Sequence, residues 1–141
     1  MKSLTTVVTV FSILLFSCNT ASKKVDTEKE SYQKTREDLR KKEEKDPKLF
    51  LTVTGDSKKN LIGQTVIKGS ITNKASIAVF KDVDVNLSFY SKTSVLLETD
   101  KETIFEILHP GETKDFKTKY FAPKGTDSVA FSVAAAKVMP Q

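Results

Sequence analysis

From residue 48 onward, apolar and polar side chains alternate in short runs separated by turn signals. The clearest run is residues 81–90, with Val83, Val85, Leu87 and Phe89 set against Asp82, Asp84, Asn86 and Ser88. A period of two over this length predicts a strand with one buried face. Residues 64–73 place Ile67, Gly69 and Ile71 on one face, and residues 48–55 do the same for Leu49, Leu51 and Val53. Two shorter runs, 95–97 and 103–108, predict separate strands. Residues 114–121 and 128–138 complete the set, the last with Val129, Phe131 and Val133 facing one way. His109-Pro110-Gly111-Glu112 and Pro123-Lys124-Gly125 predict turns, because proline fixes φ and glycine accepts a positive φ. About seven strands with short connections and no helical period predict an all-β antiparallel sandwich. Its expected core is Ile71, Val83, Val85, Leu87, Phe89, Phe116 and Phe131.

Residues 19–47 have a different texture. Lys, Glu and Arg of both signs interleave, and glycine is absent. These residues favour helix, and Glu37 and Lys41 have the i,i+4 order that supports one. Thr35 with Asp38 three positions on predicts a variant capping box, and Pro47 a stop. Val25, Tyr32 and Leu39 recur every seven residues, filling one apolar position per heptad where a coiled coil needs two. The segment therefore reads as a solvated tether, part helix and part disordered. A coiled-coil dimer is the alternative.

Upstream stand Lys2, an apolar run over residues 4–16, and then Leu15-Phe16-Ser17-Cys18. A basic start, a short apolar core and a small residue at the cut point have the layout of an export signal. About 13 apolar residues are too few to span a bilayer as a helix, which needs about 20. The last four residues resemble a lipobox, with Phe16 as a departure from its usual small or β-branched residue. The resemblance implies cleavage after Ser17 and acylation of Cys18, the chain's one cysteine. An ordinary signal peptide cut elsewhere and a buried N-terminal helix are the competing readings. The expected organisation is a signal peptide at 1–17, a lipidated cysteine and charged tether at 18–47, and a β-sandwich at 48–141. Asn19 after the cysteine resembles the outer-membrane signal of enterobacterial sorting. Lys23 and Lys24 stand where an acidic surface-export cluster would lie, which favours the periplasmic face.

Composition changes this picture little. The 141-residue chain carries a net charge of +5. Loss of Lys2 with the signal peptide lowers it to +4, too mild and too dispersed to argue for nucleic acid. With Cys18 acylated, the folded part has no disulfide, and its stability must come from packing.

Val66-Ile67-Lys68-Gly69-Ser70-Ile71-Thr72-Asn73, the strand ending Leu87-Ser88-Phe89-Tyr90, and Leu108-His109-Pro110-Gly111-Glu112 with Phe116 occur in that order. Together they resemble FxLYD-type domains and their relatives among the late-embryogenesis water-stress proteins. The resemblance covers residues 64–134. Ser91 departs from it, since an Asp often follows the aromatic pair, and so does the missing glycine after it. It implies a seven-stranded immunoglobulin-like sandwich, and it brings no enzyme activity, cofactor or catalytic residue.

Candidate chemistry is sparse. His109, the one histidine, stands in a predicted turn with no nucleophile motif beside it. Asp82, Asp84 and Asn86 share a strand face but lie too far apart to converge on a hard cation. Lys117 and Lys119 share a face beside Phe116 and Tyr120, as an exposed edge or as a possible polyanion contact. No zinc spacing, phosphate loop or nucleophile elbow is present. The expected function is that of a membrane-anchored, non-enzymatic envelope lipoprotein serving as a protein-interaction or scaffold module. The alternative is a glycan- or polyanion-binding module using Lys117 and Lys119. The expected partners are the bilayer, through acylated Cys18, and an envelope protein.

Overall fold

A computed structural model describes residues 20–140, with side chains from residue 28 onward. Cys18 and the predicted cleavage point lie outside the described residues. The chain divides into two units, Met1–Gln33 and Lys34–Gln141. The second holds the C-terminal part of helix α1 (Thr20–Lys45) and all the strands.

α1 runs from Thr20 past Thr35 to Lys45, so Thr35 lies inside the helix and does not start one, contrary to the sequence expectation. Good helix formers on both sides of Thr35 outweigh its local preference for a helix start. Arg40 and Glu44 form an i,i+4 ion pair at 3.0 Å. Asp46 and Pro47 end the helix, since the residue before a proline is pushed out of the α region. A single 3₁₀ turn follows at Pro47–Leu49, closed by the Phe50 N–H donating to the Pro47 carbonyl at 3.0 Å.

Six strands build two antiparallel sheets. β1 (Leu51–Lys59), β2 (Thr65–Asn73) and β5 (Thr113–Tyr120) form one, in the order β1-β2-β5. β3 (Phe80–Ser91), β4 (Leu96–Leu108) and β6 (Thr126–Val138) form the other, in the order β4-β3-β6. The architecture is an all-β sandwich of six strands where the sequence predicted seven. The runs at 95–97 and 103–108 are one continuous strand, β4. Its middle breaks the apolar pattern because Glu98, Asp100 and Glu102 pair with Phe89, Leu87 and Val85 of β3 and so share their inward face. β4 is an edge strand, where inward-pointing charges reach water and discourage pairing with another chain. The first strand also begins later than expected. Leu49 lies in the 3₁₀ turn and is exposed, whereas Leu51 is buried and Val53 half-buried.

The core lies between the sheets. Ile71, Val83, Val85, Leu87 and Phe89 are buried, as expected, and Ile67, Phe80 and Leu108 join them. Phe116 is buried, while Phe131 is half-buried on the edge strand β6. Phe89 and Tyr120 meet with ring centroids 6.1 Å apart.

Gly69 is fixed by a close approach. A Cβ there would stand 2.5 Å from the Phe116 ring and 2.7 Å from the Thr54 carbonyl oxygen. Gly69→Ala is expected to destabilise the domain by about 1–3 kcal/mol through overpacking. Urea unfolding should show it as a lowered midpoint, partly restored by adding Phe116→Leu. An unchanged midpoint for Gly69→Ala would contradict the packing.

The pairing register gives the sandwich two ends. At one end Thr72 pairs with Thr113, close to the 3₁₀ turn, the β2–β3 loop and the β4–β5 turn. At the other, Thr65 pairs with both Lys59 and Tyr120, and Ser91 pairs with Thr126. The β1–β2, β3–β4 and β5–β6 connections all emerge there.

Candidate functional site

Lys117 and Lys119 occupy exposed positions on the outer face of β5, as the alternation predicts. Pairing brings two more lysines to that face. Lys68 of β2 lies directly opposite Lys117, and Val66 separates Lys119 from Lys58 of β1. Like charges facing each other across a ladder oppose folding. Asp56 pairs with Lys68 from the other side, and Asp115 neighbours Lys117 on the same face. An open depression of about 700 Å³ lies here, lined by Thr54, Asp56, Lys68, Ser70, Asp115 and Lys117. Its two hydroxyls, Thr54 and Ser70, are paired across strands at 3.1 Å. The depression balances Lys68 and Lys117 against Asp56 and Asp115, while Lys58 and Lys119 extend the row of ammonium groups beyond it along the same face.

The remaining sequence candidates are dispersed. His109 is exposed in its turn, and its backbone N–H donates to the Glu112 carboxylate at 2.9 Å. That hydrogen bond, with the Lys114 ammonium 2.9 Å away, holds the Glu112 carboxyl below its ordinary range. Asp82 and Asp84 are drawn apart. Asp82 pairs with Lys137 of β6 at 3.0 Å, and Asp84 with Lys101 of β4 at 3.2 Å. The Thr103 hydroxyl also donates to Asp84 at 2.6 Å, the main cause of that carboxyl's lowered pKa. Tyr120 donates its hydroxyl to Glu102 across the sheets. Burial, and then this bond to a carboxylate, push the phenol well above its usual pKa.

The strongest polar constellation is one that the sequence concealed. Glu43, in the last turn of α1, is 1% exposed. Its carboxylate accepts three successive backbone N–H groups of the β2–β3 loop: Ser76 at 2.7 Å, Ile77 at 2.9 Å and Ala78 at 2.9 Å. Successive amides turned to one side form an anion-binding concavity, filled here by the protein's own side chain. Asn73 extends the network. Its amide donates to the carbonyls of Ala78 and Leu108 and accepts from the Ala75 N–H. Glu43 and Asn73 thus fasten the helix end, the β2–β3 loop and the β4–β5 turn together. Glu43 gave no signal among Lys42, Glu44 and Lys45, whereas Asn73 stood in the motif quoted for the family resemblance.

Among the described residues there is no group of three or more His, Cys, Asp or Glu able to hold a metal ion. No helix among them is long and apolar enough to cross a membrane. No protein-family model matches the chain. No curated protein matches it either. Among solved structures, the Salmonella enterica trimeric lipoprotein SadB is similar at 15% identity and a TM-score of 0.45, with 86% of this chain and 81% of that chain covered.

Proposed function

We propose that the chain is a lipid-anchored, non-enzymatic binding module of the bacterial envelope, with an FxLYD-like sandwich that contacts another protein. The observation that carries this reading is the run Leu15-Phe16-Ser17-Cys18, followed at once by a charged helix. The Glu43 fastening supports it, because a tether joined firmly to its domain suits a module displayed at a surface. Asn19 favours the outer membrane, and the absence of acidic residues at positions 20–25 favours its periplasmic face. Two or more acyl chains on Cys18 give lasting attachment, since each buried methylene adds about 0.8 kcal/mol. Wild type is expected to incorporate labelled fatty acid and Cys18→Ala to lose the label. Equal labelling of the two would defeat the anchor. In-cell crosslinking of the acylated protein is the test of a protein partner.

A second reading is favoured by the lysines gathered on the outer face of the β1-β2-β5 sheet. There the module binds an anionic glycan or other polyanion. Binding of such a polymer should fall steeply with ionic strength and should drop in Lys117→Ala/Lys119→Ala. Salt-independent binding would exclude this reading.

A further inference from the structure

The end of the sandwich remote from Glu43 has a character of its own. Its three connections carry four exposed apolar side chains; Phe105 of β4, at 79%, is exposed as well but lies within its strand. Leu61 is fully exposed, with Ile62 at 72%, Val95 at 58% and Phe121 at 78%. The three connections lie side by side. Thr65 pairs with both Lys59 and Tyr120, and Ser57, Lys59, Thr65, Thr126 and Asp127 line one shared crevice.

Each connection is an ordered turn that holds its apolar residue outward. The Asn60 side chain accepts the N–H groups of Ile62 at 3.1 Å and Gln64 at 2.8 Å, and Gly63 takes φ +82°. The Ser91 hydroxyl accepts the Val95 N–H at 3.1 Å, and Ser94 takes φ +61°. The Thr126 hydroxyl donates to the Pro123 carbonyl at 2.7 Å, and Gly125 takes φ +94°. The tips therefore project before any ligand arrives.

Charge follows the same division. Residues 57–66, 90–97 and 117–127 hold six lysines and one carboxylate, Asp127. The opposite end mixes both signs, with Glu43, Glu44, Asp46, Glu106 and Glu112 beside Lys45, Lys48, Lys74 and Lys114.

We propose that this apolar-tipped, lysine-ringed end binds the surface of an anionic lipid bilayer, with Leu61, Ile62 and Phe121 entering the boundary between headgroups and acyl chains. Separate convex tips suit a deformable medium, which needs no matching concave surface. Apolar residues in the interface and lysines on anionic headgroups are the two contributions that give interfacial binding. This goes beyond the lipid-anchor reading and does not depend on it.

The test uses the chain from residue 19 onward, without Cys18. It keeps the unit Lys34–Gln141 with its own core. The sequence has no tryptophan, so Phe121→Trp supplies a single reporter. Vesicles of phosphatidylethanolamine with about one-third phosphatidylglycerol are expected to shift its emission to the blue, and lipids brominated near the glycerol end of the acyl chains to quench it. Adding Leu61→Ser/Ile62→Ser should weaken partitioning at least about tenfold. Lys59→Ala/Lys92→Ala/Lys124→Ala should remove the preference over phosphatidylcholine vesicles. Far-UV circular dichroism confirms that each variant folds. A reporter that stays in water with anionic vesicles, or partitioning unchanged by the serine or the alanine set, would overturn the proposal. Loss of fatty-acid labelling leaves this result untouched, so the two ideas fail separately.

Discussion

Replacing Glu43 by alanine is expected to cost about 3–4 kcal/mol of folding stability, more than any other charged-to-alanine change among the described residues. Hydrogen bonds to a charged group contribute about 1.5–3 kcal/mol each, and leaving buried donors without a partner costs about 1–3 kcal/mol apiece. Three backbone N–H groups lose their acceptor together, and the Ala78 N–H is buried. Some recover water as the loop loosens, so the total is less than the sum. Glu44→Ala is the control. Its neighbour Arg40 is 39% exposed, and an exposed i,i+4 pair contributes about 0.3–0.5 kcal/mol. Urea unfolding of both variants measures the difference. Amide exchange should speed up at Ser76, Ile77 and Ala78 in Glu43→Ala alone. Equal midpoints for Glu43→Ala and Glu44→Ala would mean that the carboxylate does not hold the loop.

Phe89→Ala is the second large effect, at about 3–5 kcal/mol. The side chain is 1% exposed, packs on Tyr120 and is paired on both sides, with Glu98 of β4 and Val129 of β6. Removing it leaves a cavity that the two rigid sheets cannot close. A domain of this size has about 5–15 kcal/mol in all, so the variant is expected to unfold partly at physiological temperature. Asp84→Ala, on the outer face of the same strand, is expected to cost about 1 kcal/mol or less. The Asp84 contribution should depend on pH. Its folded pKa is lowered from 3.8, chiefly by the Thr103 hydroxyl. A depressed carboxyl pKa stabilises the fold above the unfolded value and loses that contribution as pH falls through the folded one. The wild-type advantage over Asp84→Ala should therefore be full near neutrality and vanish in strong acid. Equal losses from Phe89→Ala and Asp84→Ala would reverse the assignment of faces.

Alternation from Asp82 to Phe89 made β3 legible in the sequence, because there every inward position is apolar and every outward one polar; a bulge at Asp82 sets Phe80 out of that step. The β4–β5 turn was legible for another reason, since Pro110 and Gly111 leave the backbone few conformations. β4 was not. Its inward positions at 98, 100 and 102 are carboxylates, so a rule that equates inward with apolar cut one strand into two. The edge position makes those charges tolerable, and edge position is a property of topology. Glu43 escaped for a related reason. A glutamate in a charged helix looks like any other until the loop that binds it, more than thirty residues later, folds back against it. Lys117 and Lys119 were found by alternation alone, but Lys58 and Lys68 joined them only through strand register. Leu61 and Ile62 read as parts of a connection, because nothing local indicates that three connections share one end.

The Glu43 fastening also has a mechanical consequence. A pull on the chain from its N-terminal side reaches Glu43 before it reaches the first strand. Three hydrogen bonds from consecutive amides then resist together, and none can lengthen far without the others. The short span from Glu44 to Phe50 stays slack while they hold, so tension on the tether is passed to the β2–β3 loop and spares β1, an edge strand that would otherwise peel from β2 one pair at a time.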